Sequence, residues 1–596
     1  MTAKISTDEK IALLRKAMRD AGVQAYIVPT SDPHMTEYNA KHFEARHWLT
    51  GFTGSAGTAL VTENAAKLWA DGRYFIQAEH QIAGTEFELM KLATPGYPTL
   101  LEFLSENLKE GDVVGVNGAI MNQAQVERYE EVLGKKGIKI ELNLQLVADI
   151  WTDQPEMPKG EIFTLGTEWT GRSTETKIAD LRKYLEEKES DVALIGRLDD
   201  VAWLYNFRGS DIECTPVAYA FAMVSQDKAE LFIDLDKVNS EVRATMEAEG
   251  VSFREYDDIY EAVAELSGKT LRLDKTAINS LVYSKLSEDV EVINGRDWTL
   301  DEKAVKNETE IKNQYEAYRK DGIAFTKLIH WLKTQEDVSR FDELDVDAKA
   351  LEFREELDTF VELSFGTIAA YGPNAAMAHY SATEDNKAQL QNKSFMLVDA
   401  GGQYWEGTTD TTRTISVGEL TAEEIKDYTL TVMSHVDLAM AVFLEGSTGY
   451  QLDMLARKPM WENHMDFKHG TGHGIGYFLN VHEGPQSISS GRYNTTVMEE
   501  GMITSNEPGV YKEDKHGIRI ESVVVCEEAA TVGTDKFLKF DTMTRVPLER
   551  EAIDKSMLNE EQIAWINEYH EKVYKDINQD LTPEEAEWLK EVCKPL

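Results

Sequence analysis

The chain has 596 residues, 42% of them hydrophobic, enough for two to four domains that each bury a core. Its formal net charge of −44, from 106 acids against 62 bases, excludes nonspecific binding to nucleic acid or to an anionic membrane, since both need the opposite sign. The excess fits a solvated acidic surface or adaptation to salt, and its field favours cations and the amino ends of peptides. No apolar run reaches the length of a membrane span, and Cys214, Cys526 and Cys593, distant and without CxxC spacing, fit reduced thiols in a cytoplasmic protein.

The opening MTAKISTDEKIALLRKAMRDAG carries a helical apolar period and lacks the apolar core of a signal peptide. AYIVPTSD from Ala25, RHWLTGFTGSA and TALVTENAAKLWAD follow it. A second helical pattern, STETKIADLRKYLEEKE, precedes ALIGRLDD from Ala193, VAWLYNFRGSD and AFAMVSQDKAELFID. These stretches form an internal repeat in which Trp48 matches Trp203, Gly54 matches Gly209 and Asp71 matches Asp234. Strand-like runs alternate with helical ones in both copies, which predicts two similar α/β domains, 1–155 and 156–302. TDQPEMPK at 152–159, with two prolines and no apolar period, is the linker. A third domain, 303–546, opens on a long amphipathic helix, AVKNETEIKNQYEAYRKDGIAFTKLIHWLKT. Glycine-punctuated strands over 395–527 come next, with helical stretches at 421–444 and 451–464 between them. Charged helical patterns, MLNEEQIAWINEYHEKVYKDI and TPEEAEWLKEVC, make 547–596 a helical C-terminal extension.

The chemistry lies in LVDAGGQYWEGTTDTTRT, HGTGHGIGYFLNVHEGP, ITSNEPGVY and GIRIESVVV, which carry Asp399, Asp410, His473, Glu507 and Glu521. Acids inside apolar strands need a partner. Four carboxylates around one point repel unless they take up protons, and two divalent cations neutralise them. Four oxygen donors and one nitrogen, with no thiolate, form a hard set that suits manganese best, with zinc, cobalt or iron as possible occupants. Bridging carboxylates would hold two ions roughly 3.5–4 Å apart, the spacing of two-metal hydrolytic sites.

These segments resemble those of the pita-bread metallopeptidases, and within them the Xaa-Pro aminopeptidases (aminopeptidase P) of the long, three-domain cytosolic type. AYIVPTSDPHMTEY, GFTGSAGTALV, DGRYF, AWLYNFRGSD and GPNAAMAHYSA extend the resemblance over nearly the whole chain. It implies two creatinase-like N-terminal domains and a pita-bread catalytic domain. Asp399 would be a terminal ligand of one ion, Asp410 and Glu521 bridges, and His473 and Glu507 ligands of the second ion. It also implies cleavage of the bond before a second-position proline by a hydroxide bridging the two metals. His379 and His482 would contact the substrate and the reacting centre, with His379 stabilising the oxyanion and His482 shaping the proline pocket. Glu507 would shuttle the proton. His469 and Arg519 would orient the ligands. Arg73 of DGRYF faces the substrate entrance or forms a structural ion pair, the commoner fate of an arginine near an acid. Peptides beginning Xaa-Pro would be the substrates, and a homodimer the assembly. A prolidase, a methionine aminopeptidase, or a binding protein that kept the fold without turnover are the alternatives; the full length, GPNAAMAHYSA and FLNVHEGP favour the Xaa-Pro aminopeptidases.

Overall fold

Ser6 accepts a hydrogen bond from the Glu9 N–H and Glu9 returns one to the Ser6 backbone, a reciprocal cap that starts helix Thr7–Ala21. Gly22, at φ 72°, ends it. The computed structural model describes residues 5–491 and 494–596. It divides into two compact units, one holding residues up to Thr167 with Arg172–Thr299, the other Glu168–Gly171 with Leu300–Leu596.

In the first unit the internal repeat becomes two six-stranded sheets. One runs in the order Phe87–Lys91, Ala66–Ala70, Thr58–Thr62, Ala25–Pro29, Val113–Gly115, Lys139–Glu141. The other runs Ser252–Arg254, Ala229–Ile233, Ala220–Ser225, Val192–Ile195, Thr270–Leu273, Glu291–Asn294. Both follow the same pairing sequence across the sheet: parallel, antiparallel, antiparallel, parallel, parallel. Helices Thr7–Ala21 and Thr174–Glu187 occupy equivalent places before the central strands. The copies are joined where His34 Nδ1 meets the Gly196 carbonyl at 2.6 Å and Asn279 donates to Pro33 at 2.9 Å.

The long helix of the second unit runs Glu308–Lys333 and starts four residues later than its apolar period suggests. Asn307 caps it, accepting from the Thr309 and Glu310 N–H groups, and a separate helix, Trp298–Ala304, carries the residues before it. A three-stranded antiparallel sheet of Ile368–Tyr371, Phe395–Ala400 and Thr411–Ser416 precedes two packed helices, Ala422–Ala439 and Gly449–Glu462. The first of these is shorter than the 421–444 stretch read from sequence. Val442–Leu444 leaves it to pair with Asp535–Thr542 as the edge of a six-stranded sheet, a tertiary pairing that the local apolar pattern does not register. Strands Ile503–Asn506, Gly472–Gly474 and Ser522–Val532 lie in that sheet, and Gly509–Lys512 pairs with His516–Arg519 beside it. Helices Glu560–Ile577 and Pro583–Val592 end the chain, packing Ile566, Tyr569, Val573 and Leu589 into a core shared with Tyr428 and Ile518.

Gly517 lies where the backbone of the 372–376 turn crosses strand His516–Arg519, and a Cβ there would sit 1.7 Å from the Ala375 carbonyl oxygen. Gly517→Ala is expected to lower unfolding free energy by about 1–3 kcal/mol, the usual cost of overpacking. A wild-type midpoint in urea denaturation would show that the turn does not press on this strand.

Candidate metal centre

The Phe395–Ala400 and Thr411–Ser416 strands are buried along their full length, and their register sets Asp399 opposite Thr412. Alternation then sorts the side chains that follow Asp410. Thr412 Oγ1 donates to Glu521 Oε2 at 2.7 Å, and Thr414 Oγ1 donates to the Arg519 carbonyl at 2.9 Å. Arg413 turns to the opposite face. Glu521 is held at the junction of His516–Arg519 and Ser522–Val532 by its N–H on the Thr412 carbonyl, and Glu507 follows Ile503–Asn506 with its N–H on Thr471. His473 sits in Gly472–Gly474, where a Cβ on Gly472 would lie 1.9 Å from the Ser505 carbonyl oxygen; glycine is what lets the two strands close up.

The five residues named from sequence are brought together. Oxygens of Asp399, Asp410 and Glu521 fall within 4.8 Å of one another, as do donor atoms of His473, Glu507 and Glu521. Either set could hold a cation, and Glu521 belongs to both. A third set joins Asp410, His473 and His482, so the geometry adds His482 to the possible donors, a place that the sequence reading did not give it. The rings of His473 and His482 meet edge to face with centroids 4.3 Å apart.

Burial dominates the electrostatics. It raises Asp399 above the ordinary carboxylate range against the pull of Arg519. It lifts Glu507 to about 7 against the opposing charges of His473 and Arg519. Glu521 is raised well above its usual range by burial and by the charges of Asp410, Asp399 and Glu507. Burial pulls the His473 imidazole down, but the hydrogen bond to Asp410 and the charge of Glu507 outweigh it and push it up to about 9. Asp399 Oδ1 is buried without a hydrogen-bond partner, although Oδ2 accepts from Arg519 Nη2 at 2.6 Å. A carboxylate oxygen left in that state, beside Glu507 and Glu521 that burial and neighbouring charge push toward the protonated form, fits a site built for cations.

Arg519 is the hub of the surrounding contacts. Besides Asp399 it donates to the Tyr511 hydroxyl at 2.8 Å, and Tyr511 lies 2.8 Å from His469 Nε2. His469 Nδ1 stands 2.7 Å from the Gly470 carbonyl and 3.8 Å from Glu507. Tyr511 was not singled out from sequence, although its position four residues after Glu507 in a two-residue period was a usable signal. His379 lies in the turn that follows 372–376, half-buried, and among the described residues it joins none of the three donor sets. Arg73 lies in the first unit, where it grips Asp71 through two bonds of 2.9 Å and stands 3.6 Å from Glu37.

Residues 313–528 match the model of metallopeptidase family M24, and 536–596 match that of the C-terminal region of peptidase M24. Residues 10–142 and 153–310 each match a creatinase/prolidase N-terminal domain. A probable Xaa-Pro aminopeptidase P of Laccaria bicolor is 38% identical over 99% of this chain and 94% of its own length. Aminopeptidase P2 of Arabidopsis thaliana is 34% identical over 100% of this chain and 89% of its own length. Among solved structures, X-prolyl aminopeptidase from Caenorhabditis elegans, described as a cytosolic enzyme with a di-nuclear active site, superposes with a TM-score of 0.95 at 33% identity, covering 99% of this chain and 100% of that one. With a metallopeptidase domain in sequence, the same fold over its whole length and a cluster of acids able to take cations, this chain belongs to metallopeptidase family M24, in its Xaa-Pro aminopeptidase branch.

Proposed function

We propose that the chain releases the first residue of peptides whose second residue is proline, using two divalent cations held by Asp399, Asp410, His473, Glu507 and Glu521. The observation that carries this reading is the overlap of the donor sets at Glu521 and Asp410, with an orphaned Asp399 oxygen among them. Asp399 would hold one ion, His473 and Glu507 the other, and Asp410 and Glu521 would be shared between the two. The oxygen-rich set favours manganese. Such a pair, when bound, would supply positive charge for the scissile carbonyl and make a nearby water acidic enough to serve as the nucleophile.

The protein's own groups do the rest. The nitrogen of the scissile bond is the proline's own and carries no hydrogen, so recognition has to come from shape and from the carbonyl. His379 is the donor for the developing oxyanion, and His482, beside His473, borders the ring. Glu507, buried in the cluster, takes the proton of the attacking water and passes it to the departing proline nitrogen. Arg519 and His469 keep the acids oriented, and we read Arg73 as part of its ion pair with Asp71 rather than as a substrate contact. We propose the division 1–155, 156–302, 303–546 and 547–596 for the domains, and the cytoplasm as the compartment. No helix of the described residues is long and apolar enough to cross a membrane.

We also propose a homodimer. Tyr450, Met454 and Trp461, 48%, 59% and 47% exposed, stand out from helix Gly449–Glu462, and Val442 and Leu444 are exposed on a strand at a sheet edge. Met454→Glu should shift the species seen by light scattering from dimer to monomer. A monomeric wild type would remove the assembly.

An amino-acid release assay with manganese tests the activity. Arg-Pro-Pro should yield free arginine, and Arg-Ala-Pro should be cleaved at least about tenfold more slowly, because positioning of the ring contributes to the transition state. Cleavage of Gly-Pro alone would mark a dipeptidase, and equal rates on both tripeptides a general aminopeptidase.

Metal loading should release protons. In the metal-free state His473, raised to about 9, and part of Glu507, raised to about 7, carry protons at pH 7 that a cation must displace, and Glu521 is shifted in the same direction. Affinity therefore rises with pH through the range, about pH 7 to 9, in which Glu507 and His473 give up their protons unaided. Titration calorimetry in buffers of different ionisation enthalpy reads the proton count. No net release at pH 7 would contradict these assignments.

A further inference from the structure

The Thr411–Ser416 strand presents its other face to the C-terminal extension through Arg413, which is 1% exposed. Its Nε donates to the Pro547 carbonyl at 3.1 Å. Nη1 donates to the Thr412 carbonyl at 2.9 Å and to the Glu521 carbonyl. Nη2 reaches the Val546 carbonyl and the Tyr569 hydroxyl, both at 2.8 Å, and Ser522 Oγ at 3.3 Å. All of these acceptors are neutral. The two imidazoles near this guanidinium are neutral as well, since burial and then Arg413 itself push His435 and His570 down to about 3.

A cation buried without a partner acid is costly, and this one is placed behind the backbone of two residues on the acid cluster. Thr412 holds Glu521 Oε2, and Glu521 is the acid shared by two donor sets. Tyr569 stands on helix Glu560–Ile577 and closes the far side by donating to Val546 at 2.7 Å. The guanidinium fork thus ties helix Glu560–Ile577 to the carbonyls of Thr412, on one strand, and Glu521, at the junction of two others.

We propose that Arg413 is a positioning residue for Glu521, and that through Tyr569 it makes the C-terminal extension part of the metal site. This rests on Glu521 being a metal ligand. A cavity of about 610 Å³, bordered by Lys333, Ser416, Glu549 and Trp588, reaches Arg413, so truncating the side chain leaves a hole that a free guanidinium ion can fill.

The test titrates manganese into chelator-treated full-length wild type and Arg413→Ala, and measures kcat and KM on Arg-Pro-Pro at saturating manganese. In Arg413→Ala, manganese affinity and kcat should each fall about 10–100-fold, the usual cost of losing an outer hydrogen-bond partner, with KM changed less than about threefold. Millimolar guanidinium chloride should restore affinity and kcat in Arg413→Ala and leave wild type unchanged, while urea should restore neither. Arg413→Lys, which keeps the charge and loses the fork, should recover only part. A folded Arg413→Ala with wild-type affinity and kcat overturns the proposal, and so does a loss that guanidinium does not reverse. If Arg413→Ala does not fold, Tyr569→Phe decides: weaker manganese binding supports the link, and unchanged binding overturns it. Wild type alone tests the functional reading. If it binds manganese and cleaves nothing, that reading fails, while the affinity ratio of variant to wild type still judges Arg413.

Discussion

Holding four carboxylates close together out of water is the constraint on which the rest of the catalytic unit depends. Each acid would relax outward if its backbone allowed it, because like charges in a medium of low polarity repel strongly. The chain answers with rigid supports. Asp399 lies in a strand buried on both faces, Asp410 immediately before a second such strand, and Glu507 and Glu521 at strand junctions with their N–H groups bonded across to Thr471 and Thr412. Sites carried on strands are held more closely than sites on loops. The glycines at 472 and 517 serve the same end, because a side chain at either would push apart backbones that must nearly touch.

Arg519 offsets part of the repulsion from the side. It is planar and permanently charged, and its rigid fork bonds Asp399 and Tyr511 at the same time through different nitrogens. The consequence is a directional arrangement: Asp399 has one oxygen fixed by arginine and the other left bare. Tyr511 carries the network on to His469 and so to the edge of Glu507. Local charge and hydrogen bonding therefore prepare different acids to different degrees before any cation arrives. That is the physical content of a preorganised site.

Much of this was legible in the sequence because strands impose a period of two and glycine marks close approach. Asp399, Asp410, His473, Glu507 and Glu521 could be picked out as acids and an imidazole in apolar, glycine-rich runs where an unpaired charge has no business. The repeat was legible for a similar reason, since AYIVP and VALI, TALVT and AFAMVS, AKLWA and AELFI occupy the same order in both sheets. What escaped was set by tertiary pairing. Val442–Leu444 continues the apolar texture of the helix before it, and only its partner strand makes it extended. The long helix begins at Asn307 because a cap outweighs the apolar period upstream. Glu343 is likewise silent in sequence. Glu343 binds the Tyr371 and Ala388 N–H groups and the Tyr380 hydroxyl, bracketing the turn that carries His379, yet nothing near it in the chain announces this.

The two arginines nearest the acids show where local pattern stops being informative. Arg413 and Arg519 both sit in short alternating runs, TTRTI and GIRIE, two or three residues from an acid of the cluster. By spacing they are equivalent. In the fold Arg519 points toward the acids and meets a carboxylate, whereas Arg413 points away and bonds carbonyls and hydroxyls, half of them supplied from beyond residue 545. The difference is one step of strand register: 410, 412 and 414 share a face, and 413 has the other. A residue's charge therefore tells less than the face it occupies. The back of a strand beside the acid cluster can still bear on where Glu521 stands, because it bonds the backbone carbonyl of the residue from which that acid projects.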